Sequence, residues 1–296
     1  MSEALPPEPF NAPIEPPQET VAPQPGELVA RHRLSTRLWH WTNAVTWFVM
    51  LGSGLMIFNA HPRLYWGKYG ANPDTPWLEI GAHGNAGFVK LGSLVIPTSG
   101  LLGSWTDSMG VRQHLAFPSW ATIPSDYSLA DARVWHLAFA WLLAVGLLAY
   151  MIISLVNRHF RRDLTISRAE IAPGHLWQDI KDHARLRFPT GAAALRYNIL
   201  QKLAYGSVLF LFLPLVILTG LTMSPNLNSR LWFLLDLFGG RPSARSLHFI
   251  AAAALVGFFV VHIAMVVLAG PINEIRSMIT GYYRLPGKAV AGEETP

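Results

Sequence analysis

Four stretches of this chain run without a single Lys, Arg, Asp or Glu for long enough to cross roughly 30 Å of hydrocarbon, which takes about 20 helical residues. They are residues 38–58, 134–156, 203–223 and 246–270. Backbone amides inside a bilayer find no water, so each stretch must satisfy its own hydrogen bonds as a helix. The expected fold is therefore all-α and integral to a membrane: a four-helix transmembrane bundle whose first partner is the lipid bilayer. A mean hydropathy of +0.28 with 14% charged residues is too polar for spanning helices alone, so substantial polar connections must separate them.

Cysteine is absent. That removes disulfides, cysteine-held iron–sulfur clusters, thiolate zinc sites and covalent c-type haem attachment together, and leaves histidine, methionine or carboxylate to hold any metal. The net charge of +5 sits in blocks flanking the apolar stretches, a pattern of membrane topology that argues against nucleic acid as a partner. Residues 1–30 carry eight prolines and five glutamates with few large apolar side chains, which reads as a disordered tail. With no basic start followed by an apolar run, that tail is no secretory signal, and the first span is expected to act as an uncleaved anchor. Residues 31–285 form the membrane domain and 286–296 a second disordered tail. A fifth apolar stretch, residues 84–104, holds Lys90 and Pro97 among glycines and serines, and reads as an interfacial or loop segment.

Orientation follows from flanking charge. Arg31, Arg33 and Arg37 precede the first span, nine Lys/Arg lie in residues 157–202, and Arg276, Arg284 and Lys288 follow the fourth span. The connections 59–133 and 224–245 hold eight between them. The positive-inside rule then puts both termini and the loop 157–202 in the cytoplasm of a bacterium, and the loop 59–133 in the periplasm.

Ionisable groups inside a span are costly, so each is a functional candidate. His40 lies early in span one, His136 early in span two, and His248 and His262 share span four. The last two are fourteen residues apart, nearly four helical turns, so they project from almost one face at depths about 21 Å apart. With alternating helix direction, His40 is level with His262 and His136 with His248. Two cross-helix pairs at two depths suit two b-type haems, each iron held between imidazoles of different helices. Gly54 follows His40 by the same fourteen residues, which puts a missing side chain on the haem-facing side at the other depth. Three of the histidines carry an arginine one turn toward the surface: Arg37 before His40, Arg133 before His136 and Arg245 before His248. A guanidinium on that face can pair with a haem propionate, Arg37 at the cytoplasmic centre and Arg133 with Arg245 at the periplasmic one.

Other roles are open to the same residues. Single histidines can be hydrogen-bonded packing residues, and arginines at helix ends mark topology and snorkel. Tetrahedral zinc fits poorly, because pairs about 21 Å apart cannot share one ion. His61, His83, His114, His159, His175 and His183 lie outside the spans and read as loop-packing or solvated groups, His83 and His114 with a docking surface as the alternative. Met223 and Met265 read as apolar filler.

The motifs Arg37-Leu-Trp-His40-Trp41, Trp135-His136 and the paired His248 and His262 resemble the bacterial cytochrome b561 and nickel-iron hydrogenase cytochrome b family over roughly residues 31–285. That resemblance implies two haem b groups held by His40, His136, His248 and His262. The stretches Tyr197–Tyr205 and Leu218–Pro225 look like a subgroup that accompanies periplasmic molybdopterin-dependent oxidoreductases. The expected function is an electron-transfer subunit of the bacterial inner membrane, multi-pass, working between the quinone pool and a periplasmic oxidoreductase. Lys202 and Tyr205, beside Arg37, are candidate quinone contacts, although interfacial anchoring explains them equally. A stand-alone quinone reductase taking electrons from a small molecule such as superoxide is the rival enzyme, and a haem-free transporter or scaffold a third reading. A homodimer is left open.

Overall fold

The computed structural model describes residues 26–70, 74–168, 170–185 and 197–285. A short strand β1 (Leu28–Ala30) leads into α1 (Leu34–Asn59). The first long connection holds β2 (Arg63–Leu64), β3 (Leu78–His83), β4 (Ala86–Leu91), β5 (Leu94–Pro97), β6 (Trp105–Thr106) and β7 (Arg112–Gln113). Then come α2 (Leu129–Val156), α3 (Pro173–Ala184), α4 (Ile199–Ser207) and α5 (Leu213–Met223). Two short helices, α6 (Pro225–Asn228) and α7 (Phe233–Leu237), precede α8 (Arg241–Ala269), α9 (Pro271–Thr280) and β8 (Tyr282–Arg284).

Four helical segments are long and apolar enough to cross a membrane: Leu34–Asn59, Leu129–Val156, Ile199–Met223 and Arg241–Ala269. Each begins about a turn before its charge-free stretch. Arg37, Arg133, Lys202 and Arg245 thus stand inside the helices. The connection read as 59–133 accordingly ends at Ser128, which caps α2 by accepting a hydrogen bond from the Asp131 amide. Asn198 and Gln201 form a reciprocal capping box at the start of α4. The third span is interrupted by a π-helical turn, Val208–Phe212. Pro214 follows it and has no amide proton for the Phe210 carbonyl, and the widened turn accommodates that gap.

Helices α1 and α2 pack as one hairpin and α5 with α8 as another, while the two hairpins approach each other less closely. Leu143 and Leu147 of α2, Leu213 and Val216 of α5 and Ala251 and Leu255 of α8 share one buried cluster. Outward faces stay apolar: Val145, Leu148, Val260 and Val261 are exposed. Lipid is the solvent that such a surface requires.

An all-α chain is not what forms, and residues 84–104, expected as an interfacial or loop segment, hold the strands β4 and β5. Strands β2–β3–β4–β5 make a four-stranded antiparallel sheet, and β6 pairs with β7. Two-residue turns at Gly84–Asn85 and Gly92–Ser93 connect the register pairs His83↔Ala86 and Leu91↔Leu94. Gly84 and Gly92 adopt φ +56° and +57°, the left-handed conformation that tight hairpins need at that position. Lys90 lies opposite Glu79, which also holds Arg63 at 2.7 Å and raises its pKa. The single charge in this apolar stretch thus sits in a strand opposite an acidic residue, a cross-strand placement that suits opposite charges.

This sheet sits on the ends of α1 and α8. Phe58 joins Leu64, Leu78, Ile80 and Ala116 in a second buried cluster, with Phe249 packed against it. Ser246 Oγ donates to the Tyr65 carbonyl at 2.6 Å and accepts from Trp77 Nε1 at 2.9 Å. Ser243 Oγ accepts from the Gly67 amide at 2.7 Å. Asn59 exchanges both of its side-chain bonds with the backbone of Phe117.

At the other end, β1 pairs antiparallel with β8, so residues 28–30, assigned above to a disordered tail, form a strand. Of the two tails, residues 1–25 and 286–296 lie outside the described residues. Arg31 pairs with Glu274 at 3.1 Å and lies over the Tyr283 ring. In the following connection the Lys202 ammonium meets Glu170 at 2.6 Å and the Thr165 carbonyl at 3.0 Å, and this holds the Glu170 carboxyl down at about 2.

Candidate functional site

The four span histidines meet in the space between the two hairpins. His40 near the start of α1 and His262 near the end of α8 have ring centres 6.2 Å apart, with planes inclined at 62°. His136 of α2 and His248 of α8 also lie 6.2 Å apart, inclined at 58°. A metal-bound imidazole nitrogen lies about 2 Å from its ion and the ring centre roughly 1 Å further back, so two imidazoles gripping one iron from opposite sides have centres about 6 Å apart. Both pairs have a spacing that one iron could bridge. Among the described residues no three metal-ligating side chains converge, so each site offers two ligands, as a porphyrin-held iron requires and tetrahedral zinc does not.

The pairs differ in how their rings are held. Ser53 Oγ lies 3.0 Å from His136 Nδ1, and Thr219 Oγ1 lies 3.0 Å from His248 Nδ1. Each hydroxyl spends its one proton on its own helix, Ser53 on the Val49 carbonyl and Thr219 on the Leu215 carbonyl, both at 2.6 Å. The hydroxyl oxygen is therefore the acceptor, Nδ1 carries the proton, and the bare lone pair is on Nε2. Next along each helix is a glycine. A Cβ on Gly54 would come 3.3 Å from His136 Cε1, and one on Gly220 would come 3.6 Å from His248 Cε1. Hydroxyl then glycine, once on α1 and once on α5, gives each imidazole a proton acceptor and room to stand. No such pair serves His40, whose Nδ1 is buried without a hydrogen-bond partner among the described residues.

Gly54 thus lies against the imidazole of His136. Arg245 donates to the His61 carbonyl at 2.6 Å and lies over the Phe58 ring. Arg37 donates to the Ile279 carbonyl, and Trp41 Nε1 donates to Met278 at 3.1 Å, so α9 is tied across the start of α1 beside His40. Arg133 is exposed near the start of α2. Tyr205 packs edge-on against Phe258, whose ring stacks on His262 at 5.8 Å, whereas Lys202 is drawn toward Glu170 in the neighbouring connection. Between the two histidine levels Trp47 stacks on Phe259 at 4.3 Å. Ser53, Thr219 and Gly220 escaped sequence reasoning, because a hydroxyl or glycine in a span carries no mark of the helix it faces.

Apolar helices enclosing two inclined imidazole pairs, each 6.2 Å centre to centre, place candidate metal ligands inside a membrane bundle. The chain matches the prokaryotic cytochrome b561 family over residues 31–281 and belongs to it. It is therefore a multi-pass membrane protein of a family that binds b-type haem. It is also similar to a protein of Azospira oryzae that carries the name protein-methionine-sulfoxide reductase subunit YedZ1, with 28% identity over 260 residues, covering 86% of this chain and 98% of that one. No solved structure matches it.

Proposed function

We propose that this chain is the membrane electron-transfer subunit of an oxidoreductase, with His40 and His262 holding one haem b iron and His136 and His248 a second. The observation that carries this reading is the repetition of one spacing, 6.2 Å, at two levels of the bundle. When bound, haem supplies a one-electron iron couple. The chain would supply the rest: imidazole nitrogens from three helices, a low-dielectric surround, and an aromatic layer at Trp47 and Phe259 between the two levels. Arg37, Arg133 and Arg245 stand at the bundle ends, where propionates would face water.

The working place is the bacterial inner membrane, with both termini cytoplasmic and the β layer periplasmic, as the charge distribution supports. Electrons pass between the quinone pool and a periplasmic oxidoreductase of the molybdopterin-dependent class. The Azospira relative, named as a reductase subunit, supports a partner of that kind. Tyr205, one ring removed from His262 through Phe258, is the better placed quinone contact, while Lys202 would have to leave Glu170.

The test is a dithionite-reduced minus oxidised spectrum of the purified chain with haem quantified per polypeptide, repeated for His136→Ala and His262→Ala. Two b-type haems, with each substitution disturbing a different one, is the expected result. A chain without bound haem after expression with ample haem supply would overturn the reading.

A further inference from the structure

Among the described residues two of the four imidazoles are held by hydroxyls and two are not, and that asymmetry has an electronic consequence. We propose that Ser53 and Thr219 are positioning residues that set the redox potential of the His136/His248 centre below the value those two histidines would otherwise give it. The inference rests on the histidine assignment proposed above. Each hydroxyl is committed as a donor to a carbonyl one turn back on its own helix, at 2.6 Å, and so stands as an acceptor 3.0 Å from an imidazole Nδ1. An acceptor on Nδ1–H pushes electron density toward Nε2 and makes that nitrogen a stronger donor, which favours the ferric state of an iron it binds. The proton stays on Nδ1 in both oxidation states, so one electron moves and no proton with it. The glycine after each hydroxyl leaves the ring unobstructed: an added Cβ would press to 3.3 Å on His136 Cε1 at Gly54 and would make ordinary contact at 3.6 Å with His248 Cε1 at Gly220. At the other level His40 Nδ1 is buried with no partner among the described residues, so its donor strength is left unassisted. Two centres with the same ligand type thus acquire different potentials from two hydroxyl groups.

The experiment is a potentiometric titration of the full chain in detergent, with electron paramagnetic resonance of the oxidised form, for the parent, Ser53→Ala, Thr219→Val and the double variant. Ser53→Thr and Thr219→Ser serve as conservative controls. One of the two midpoints is expected to rise in each single variant and further in the double, with the lowest-field resonance of the same centre displaced. The other midpoint stays, and the controls keep the parent values. Unmoved midpoints with haem content intact would overturn the inference, as would equal movement of both. Loss of haem from the alanine and valine variants alone would also overturn it, because the hydroxyls would then serve binding and not potential. A parent without haem sinks the histidine assignment instead, so the two failures are told apart.

Discussion

A helix that lacks one Cβ lets a neighbour's side chain come closer by about the width of a methyl group, and the histidine site uses this twice with unequal tolerance. At Gly54 an added Cβ would press to 3.3 Å on His136, so His136 must give by a few tenths of an ångström, whereas at Gly220 it would make ordinary contact at 3.6 Å with His248. Replacing Gly by Ala inside a helix otherwise gains about 1 kcal/mol of helix propensity. Gly220→Ala is therefore expected to leave haem content and thermal stability unchanged or slightly raised. Gly54→Ala should broaden the reduced spectrum and lower the temperature at which haem absorbance is lost. The meeting of His40 with His262 and of His136 with His248 was legible in the sequence, because depth in a bundle of alternating helices is counting at 1.5 Å per residue. Ser53 and Thr219 were not legible. A hydroxyl in a span ordinarily bonds its own helix four residues back, and nothing along the chain says which of them also faces another helix. Glu170 offers a pH test. Its carboxyl, held at about 2 by Lys202, has an unfolded value near 4.5, so the stability it contributes is complete above 4.5 and is lost as pH falls toward 2. The pair is partly solvated, and the whole effect is less than about 1 kcal/mol. Thermal melts in detergent should fall more between pH 5 and pH 3 for the parent than for Glu170→Gln.

Elements were legible to the extent that one physical signal dominated them. Long charge-free runs announce spans because no alternative structure satisfies a backbone in hydrocarbon. The sheet from β2 to β5 was masked by the same signal: Leu94, Val95 and Ile96 raise local hydropathy enough to suggest a membrane segment, although Gly84–Asn85 and Gly92–Ser93 are two-residue hairpin turns in plain view. The attachment of that sheet depends on a backbone approach that no hydropathy pattern encodes. Gly240 adopts φ +111°, and a Cβ there would lie 2.7 Å from Lys68 Cα and 2.8 Å from the Gly67 carbonyl oxygen. Backbone on both sides cannot swing away as a flexible side chain would. Gly240→Ala is expected to cost about 1–3 kcal/mol and to loosen the sheet from α8. Faster proteolytic cutting between β2 and β7, with haem content of the bundle retained, would show it.

For the whole molecule, the orientation inferred from flanking charge makes a separate prediction. A phosphatase reporter inserted at the Gly92–Ser93 turn should be active in whole bacteria, and the same reporter fused to the carboxyl terminus should be silent; the reverse result would invert the bundle. The bundle's shape also imposes an order of events on its manufacture. Gly67 is bonded to Ser243 across 176 residues of chain, and Arg31 to Glu274 across 243. A ribosome has threaded three spans and nearly the whole extramembrane layer before it begins α8, which carries the footing for that layer and half of each histidine pair. Until then the layer is held by α1 alone, through Phe58 and Asn59, and His40 and His136 have no counterpart. The bonds that span most of the chain wait on α8 and α9, so a nascent chain that stalls before α8 lacks one member of each histidine pair and the Ser243 and Ser246 footing of the sheet. On the haem assignment proposed above, incomplete copies lack both ligand pairs, and electron traffic is reserved for chains that carry α8.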